Sequence, residues 1–185
     1  MRSFLVFLFA IGLATSVAAD EITESLELAI EYYEEGDVAG ALDELAYTTQ
    51  LLTELKAQGL GEFMPEPPEG WTMRMDEDPG LAGAFGGGIV AVGIYTHEES
   101  GDYAEITMMA DNAVVNSMGM MLGNSTMMAS LGKIVRIKRQ NFVDQGDELS
   151  GMIGKVLIQA NISSGDTGAL QEILEGIDFR ELDRF

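Results

Sequence analysis

The chain contains no cysteine. Disulfide staples, a thiol nucleophile, a thiolate metal site and a lipid-modified cysteine anchor are therefore all excluded, and stability must come from packing. Histidine is nearly absent as well. The one residue, His97, stands at the end of an alternating segment beside Glu98 and Glu99 and reads as a solvated turn residue. No Gly-x-Ser-x-Gly elbow accompanies it. Carboxylates are abundant, but no pair can be assigned acid and base roles from its spacing. No catalytic residue is assigned, and the expectation is a non-enzymatic protein without a cofactor.

Positive charge is also scarce. Ten Lys and Arg face 31 Asp and Glu, for a formal net charge of −21. Such a surface repels nucleic acid and anionic lipid. Saline solubility, a cation or a basic partner are the positive reasons for such acidity. Long apolar runs are missing too. The longest, Phe4 to Leu13, is too short for a bilayer, which needs roughly 20 residues. With Arg2 before it and Ser16-Val17-Ala18-Ala19 after it, it has the layout of a secretory signal peptide over 1–19, with Asp20 opening the mature chain. The expectation is export to a periplasm or beyond, with no stable membrane insertion after cleavage.

What is present organises into segments. Ile22, Leu26, Ile30 and Tyr33 recur at helical spacing, as do Val38, Leu42, Leu45, Thr49 and Leu52, and Gly36-Asp37 separates them. This predicts an acidic helical hairpin over 20–60. Its Tyr32-Tyr33-Glu34-Glu35-Gly36-Asp37-Val38-Ala39-Gly40-Ala41-Leu42 resembles the turn of a tetratricopeptide repeat, for one unit only. A lone hairpin cannot bury its own apolar face. It must pack on the rest of its protein, the favoured outcome, or on a partner.

Pro65, Pro67 and Pro68 block helix in 61–70, which reads as a stiff connector. From Trp71 the period changes to two. Strands are expected at 71–75, 88–97, about 103–110, 133–143 and 149–162. Helices are expected over about 112–131, with an interruption at Gly123-Asn124, and around 170–177. Five glycines between Pro79 and Gly88 read as a flexible loop entering a strand. The predicted class is α+β, an antiparallel sheet with covering helices, preceded by the hairpin. The strand, hairpin and helix order of 71–185, opened by Pro68-Glu69-Gly70-Trp71, resembles the Mog1/PsbP-like family. That resemblance implies a mostly non-catalytic extrinsic subunit, binding module or assembly factor.

Two groups of side chains stand out as a recognition surface for another envelope or exported protein. Met118, Met121, Met127 and Met128 belong to a run unusually rich in methionine and suit an adaptable groove. Arg136 and Lys138 belong to the basic cluster Lys133, Arg136, Lys138 and Arg139, and alternation places these two on one strand face. The alternative is metal handling. Met118, Met120 and Met121 could offer thioethers to Cu(I), or Asp76 and Asp78 carboxylates to Ca2+.

Overall fold

The computed structural model describes residues 14–78 and 80–185, and the chain divides after Leu55 into two compact units. Most of the segment read as a signal peptide, residues 1–13, and Pro79 lie outside the described residues.

The first unit is the helical hairpin. α1 runs Ala14–Glu35 and α2 begins at Val38 and ends at Gly61. Gly36 takes φ +84° between them, and Asp37 Oδ1 accepts the Gly40 N–H at 3.0 Å, satisfying a free donor of the first turn. The expected break is where the sequence placed it. The seam between the helices is made by Ser25 and Ala29 on α1 and Ala41 and Thr48 on α2, all buried. Thr48 Oγ1 donates to Ser25 Oγ at 2.9 Å, and Ser25 donates to Glu44 Oε2 at 2.8 Å. Small side chains let the backbones approach, and the buried hydroxyls pass their hydrogen bonds on, Thr48 to Ser25 and Ser25 to Glu44. The bulky stripes turn outward: Tyr33 is 70% and Leu42 61% exposed.

The second unit is a seven-stranded antiparallel sheet in the order β1-β2-β3-β7-β6-β5-β4. Its strands are β1 Trp71–Met75, β2 Ile89–His97, β3 Tyr103–Ala110, β4 Lys133–Ile137, β5 Gln140–Asp144, β6 Glu148–Ile153 and β7 Val156–Ile162. The helices are the single turn α3 Leu81–Ala84, then α4 Ala113–Leu122, α5 Ser125–Leu131, α6 Thr167–Leu174 and α7 Phe179–Leu182. The fold class is α+β, as expected. Two predicted strands, 133–143 and 149–162, are each a tight hairpin. Gly154, at φ +58°, supplies the turn of the second.

Alternation sorts the sheet's side chains into two buried layers. Ile89, Ala91 and Tyr95 of β2, Ile106 and Met108 of β3 and Ile158 of β7 face one side, where Leu170, Ile173, Leu174, Ile177 and Phe179 cover them. Val90, Val92 and Ile94 face the other, with Met109, Leu157 and Val143, under Val115, Leu122 and Met128. Burial on both faces explains why Ile89 to Val92 reads as a continuous apolar run rather than a clean alternation. α4, α5 and α6 each start on a side-chain cap: Asn112 accepts from Val115 N–H at 2.8 Å, Asn124 from Thr126 at 2.9 Å and Asp166 from Gly168 at 3.0 Å.

The proline-rich segment carries neither helix nor strand after Gly61, yet it is part of the core. Leu60 and Met64 are buried with the α6 side of the sheet, and Tyr95 OH donates to Pro65 O at 2.7 Å. Burial, with a smaller push from Glu66, holds the Tyr95 phenol well above its ordinary range. The glycine-rich loop is likewise tied down, because Asn112 Nδ2 donates to Gly87 O at 3.1 Å. Among the described residues, no helix is long and apolar enough to cross a membrane.

Candidate binding site

Ile137 pairs with Gln140, so the β4–β5 loop has only two residues, Lys138 and Arg139. Their φ angles are +43° and +76°. Positive φ at both central positions is the type I′ turn that matches the twist of a hairpin. It is normally built from Asn-Gly, because a Cβ meets the carbonyl in left-handed backbone. Lys-Arg therefore holds a strained turn at the sheet's edge. This revises the expectation that Arg136 and Lys138 share a strand face. Arg136 lies on β4, on the face opposite Val135 and Ile137, whose side chains join the α6-side core. Lys138 leans the other way, and its Nζ donates to Ile177 O at 3.3 Å. The sequence hid the turn because neither residue is a turn former.

Beside this turn opens a cavity of about 910 Å³, lined by Lys138, Arg139 and Gln140 on one side and by residues 176–181 and Asp183 on the other. Ile177 and Phe179 are its buried apolar members, and the Phe179 ring packs 5.9 Å from that of Phe142. Three bases and three acids line it, but they are not equally free. Asp178 Oδ1 accepts the N–H groups of Arg180 at 3.0 Å and Glu181 at 3.2 Å, capping α7. Glu181 pairs with Arg184 at 2.8 Å. Arg139 and Arg180 take part in neither of the two salt bridges found among the described residues. In a chain with a formal charge of −21, two exposed guanidinium groups at one cavity mouth stay out of the ion pairs. Their planar donor forks match a carboxylate or another oxyanion.

The methionines separate into two populations. Met128 is buried with Val115 and Leu122, and Met118 packs half-buried against the same layer. Met120, Met121 and Met127 face outward, Met120 at 73% exposure. The outward set is thus Met120, Met121 and Met127 rather than the whole expected groove. Asp76 and Asp78 form consecutive turns of their own. Asp76 Oδ1 accepts from Asp78 N–H at 3.2 Å, and Asp78 Oδ1 from Gly80 N–H at 2.7 Å. Among the described residues, no three His, Asp or Glu side chains come together as a metal set. His97 is half-buried rather than free. Its ring meets Trp71 edge-on at 5.1 Å, and Nδ1 accepts the Ser100 N–H at 3.2 Å.

Polar pairs that the alternation did not reveal lie on the α4 side, one within β3 and one joining β7 to β6. Tyr103 OH donates to Glu105 Oε2 at 3.1 Å, Gln159 Nε2 to Glu148 Oε1 at 3.2 Å, and buried Ser150 also donates to Glu148. Burial first, then Glu105, raises the Tyr103 phenol above its ordinary value. No buried side-chain polar atom among the described residues lacks a partner. These pairs have the chemistry of sheet-stabilising contacts. Comparison with known protein families, curated proteins and solved structures returns no match for this chain.

Proposed function

We propose that the chain is an exported, non-enzymatic binding or assembly protein of Mog1/PsbP-like type. It recognises a protein partner of the envelope through the Lys138–Arg139 turn and the adjoining cavity. The observation that carries the reading is the pairing of a costly backbone with unused charge. Two consecutive non-glycine residues adopt left-handed conformations at the mouth of a cavity where Asp178 and Glu181 already have partners, while Arg139 joins neither ion pair found among the described residues. Strain of this kind persists where the surrounding structure enforces it, and it gathers at clamps and ligand sites. Arg139 and Arg180 would grip an acidic side chain or a terminal carboxylate of the partner, with Ile177 and Phe179 as the apolar floor.

The test is a photo-crosslinking residue in place of Gln140, which lines the cavity, with the same residue in place of exposed Ser100 as control. One dominant protein adduct from position 140, lost on Arg139→Glu with Arg180→Glu, supports the reading. Equal adducts from both positions, or none, reject it. A second reading, Cu(I) handling, rests on the outward thioethers of Met120, Met121 and Met127. A cuprous titration of the purified chain that gives no binding tighter than about micromolar, a binding free energy of about −8 kcal/mol, removes it.

A further inference from the structure

We infer that the helical hairpin presents a docking face for a basic amphipathic helix of another protein. This surface is separate from the cavity and independent of that proposal. The seam residues of α1, Ser25, Ala29 and Tyr32, are each followed by a large apolar residue: Leu26, Ile30 and Tyr33. The same offset holds on α2, where buried Ala41 and the Glu44 that Ser25 bonds precede Leu42 and Leu45. One residue turns a helix by about 100°. The helices are antiparallel, so the same offset carries both stripes to the same side of the hairpin. The opposite offset is seen directly: Tyr47 precedes the seam residue Thr48, and its hydroxyl donates to Glu21 Oε1 across the other side at 2.6 Å.

The resulting face joins Leu26, Ile30 and Tyr33 to Val38, Leu42, Leu45 and Leu52, all exposed. The α2 stripe alone runs from Val38 to Leu52, about 21 Å at 1.5 Å per residue, the length of four helical turns. Contiguous exposed apolar side chains on this scale mark interaction surfaces, and a paired-helix groove is a standard seat for a third helix.

Charge decides the occupant. Residues 20–55 carry eleven carboxylates and no lysine or arginine. A second copy of this hairpin would bring eleven more against them, and like charges across an interface oppose association. An apolar helix bordered by Lys and Arg meets the same face with attraction at every edge.

The test uses the full mature chain, residues 20–185, and a synthetic amphipathic helix of about four turns with leucine on one face and lysine on the other. A second peptide carries glutamate in place of each lysine. The lysine peptide is expected to bind at least tenfold tighter than the glutamate peptide, and more weakly as salt is raised. Replacing Leu26, Leu42 and Leu45 together by Gln is expected to weaken it at least tenfold. These positions are exposed, so helicity by circular dichroism should be unchanged. Leu28→Gln, on the opposite side, is the control and should leave binding as it was. Equal binding of the two peptides overturns the inference. So does binding that survives the triple change, which would be charge attraction alone. Concentration-dependent self-association of the chain, abolished by the triple change, would also overturn it in favour of a second copy.

Discussion

Replacing Lys138 by Asn and Arg139 by Gly should stabilise the protein while removing the charges it exposes. Left-handed backbone costs an L-residue with a Cβ roughly 1–2 kcal/mol, and Asn and Gly relieve most of that at two positions. Two losses oppose the gain. The Lys138 Nζ hydrogen bond to Ile177 O, at 3.3 Å, is worth about 0.5–1 kcal/mol. The added glycine frees the unfolded chain by about as much again. The net is about 1 kcal/mol of stabilisation. In a unit spanning Lys56–Phe185, this raises the melting temperature by about 3–5 °C. The chain's single tryptophan, Trp71, packs at the edge of the α6-side core, so its fluorescence follows this unit through a thermal melt. Arg139→Gly alone should give about half the gain, because it relieves one of the two residues. A double variant melting at or below the parent would refute the strain on which the site assignment rests.

Three further changes probe the scaffold. Gly151→Ala should destabilise by about 2 kcal/mol through overpacking, because its Cβ would lie 2.6 Å from Cδ1 of fully buried Phe142; urea midpoints measure it. Tyr95→Phe strands the Pro65 carbonyl that Tyr95 now bonds at 2.7 Å and should cost about 1–2 kcal/mol near neutrality. It should also change the alkaline limb. The fold holds the Tyr95 phenol neutral above its ordinary value of 10.0, so that contribution is whole below this pH and is lost as pH climbs past it. Urea midpoints of parent and variant should therefore converge above about pH 10. Asn112→Ala removes both the cap on Val115 N–H and the bond to Gly87 O; a loss of about 1–2 kcal/mol is expected by the same assay.

Much of this architecture was legible where local chemistry acts alone. Gly36-Asp37 and Asn112 end or begin helices in the structure as their hydrogen-bonding capacity requires. The class followed from the change of period at Trp71. The turn at Lys138-Arg139 was not legible, because nothing local favours it; pairing of Ile137 with Gln140 and the packing beneath impose it. Once the turn is missed, Lys138 is assigned to a strand face and the basic cluster loses its geometry. The hairpin misled in a different way. Its large apolar residues mark a helical stripe correctly, but the smaller Ser25, Ala29, Ala41 and Thr48 make the closer seam, and periodicity cannot say which of two adjacent stripes a neighbour will take. Methionine spacing likewise does not separate buried Met128 from exposed Met127.

The most direct test of the central claim compares partner crosslinking from position 140 in the parent and in the chain carrying Lys138→Asn and Arg139→Gly. The account expects one dominant adduct in the parent and its loss in the double variant, although that variant is the more stable of the two. The same adduct at the same yield in both chains would contradict it.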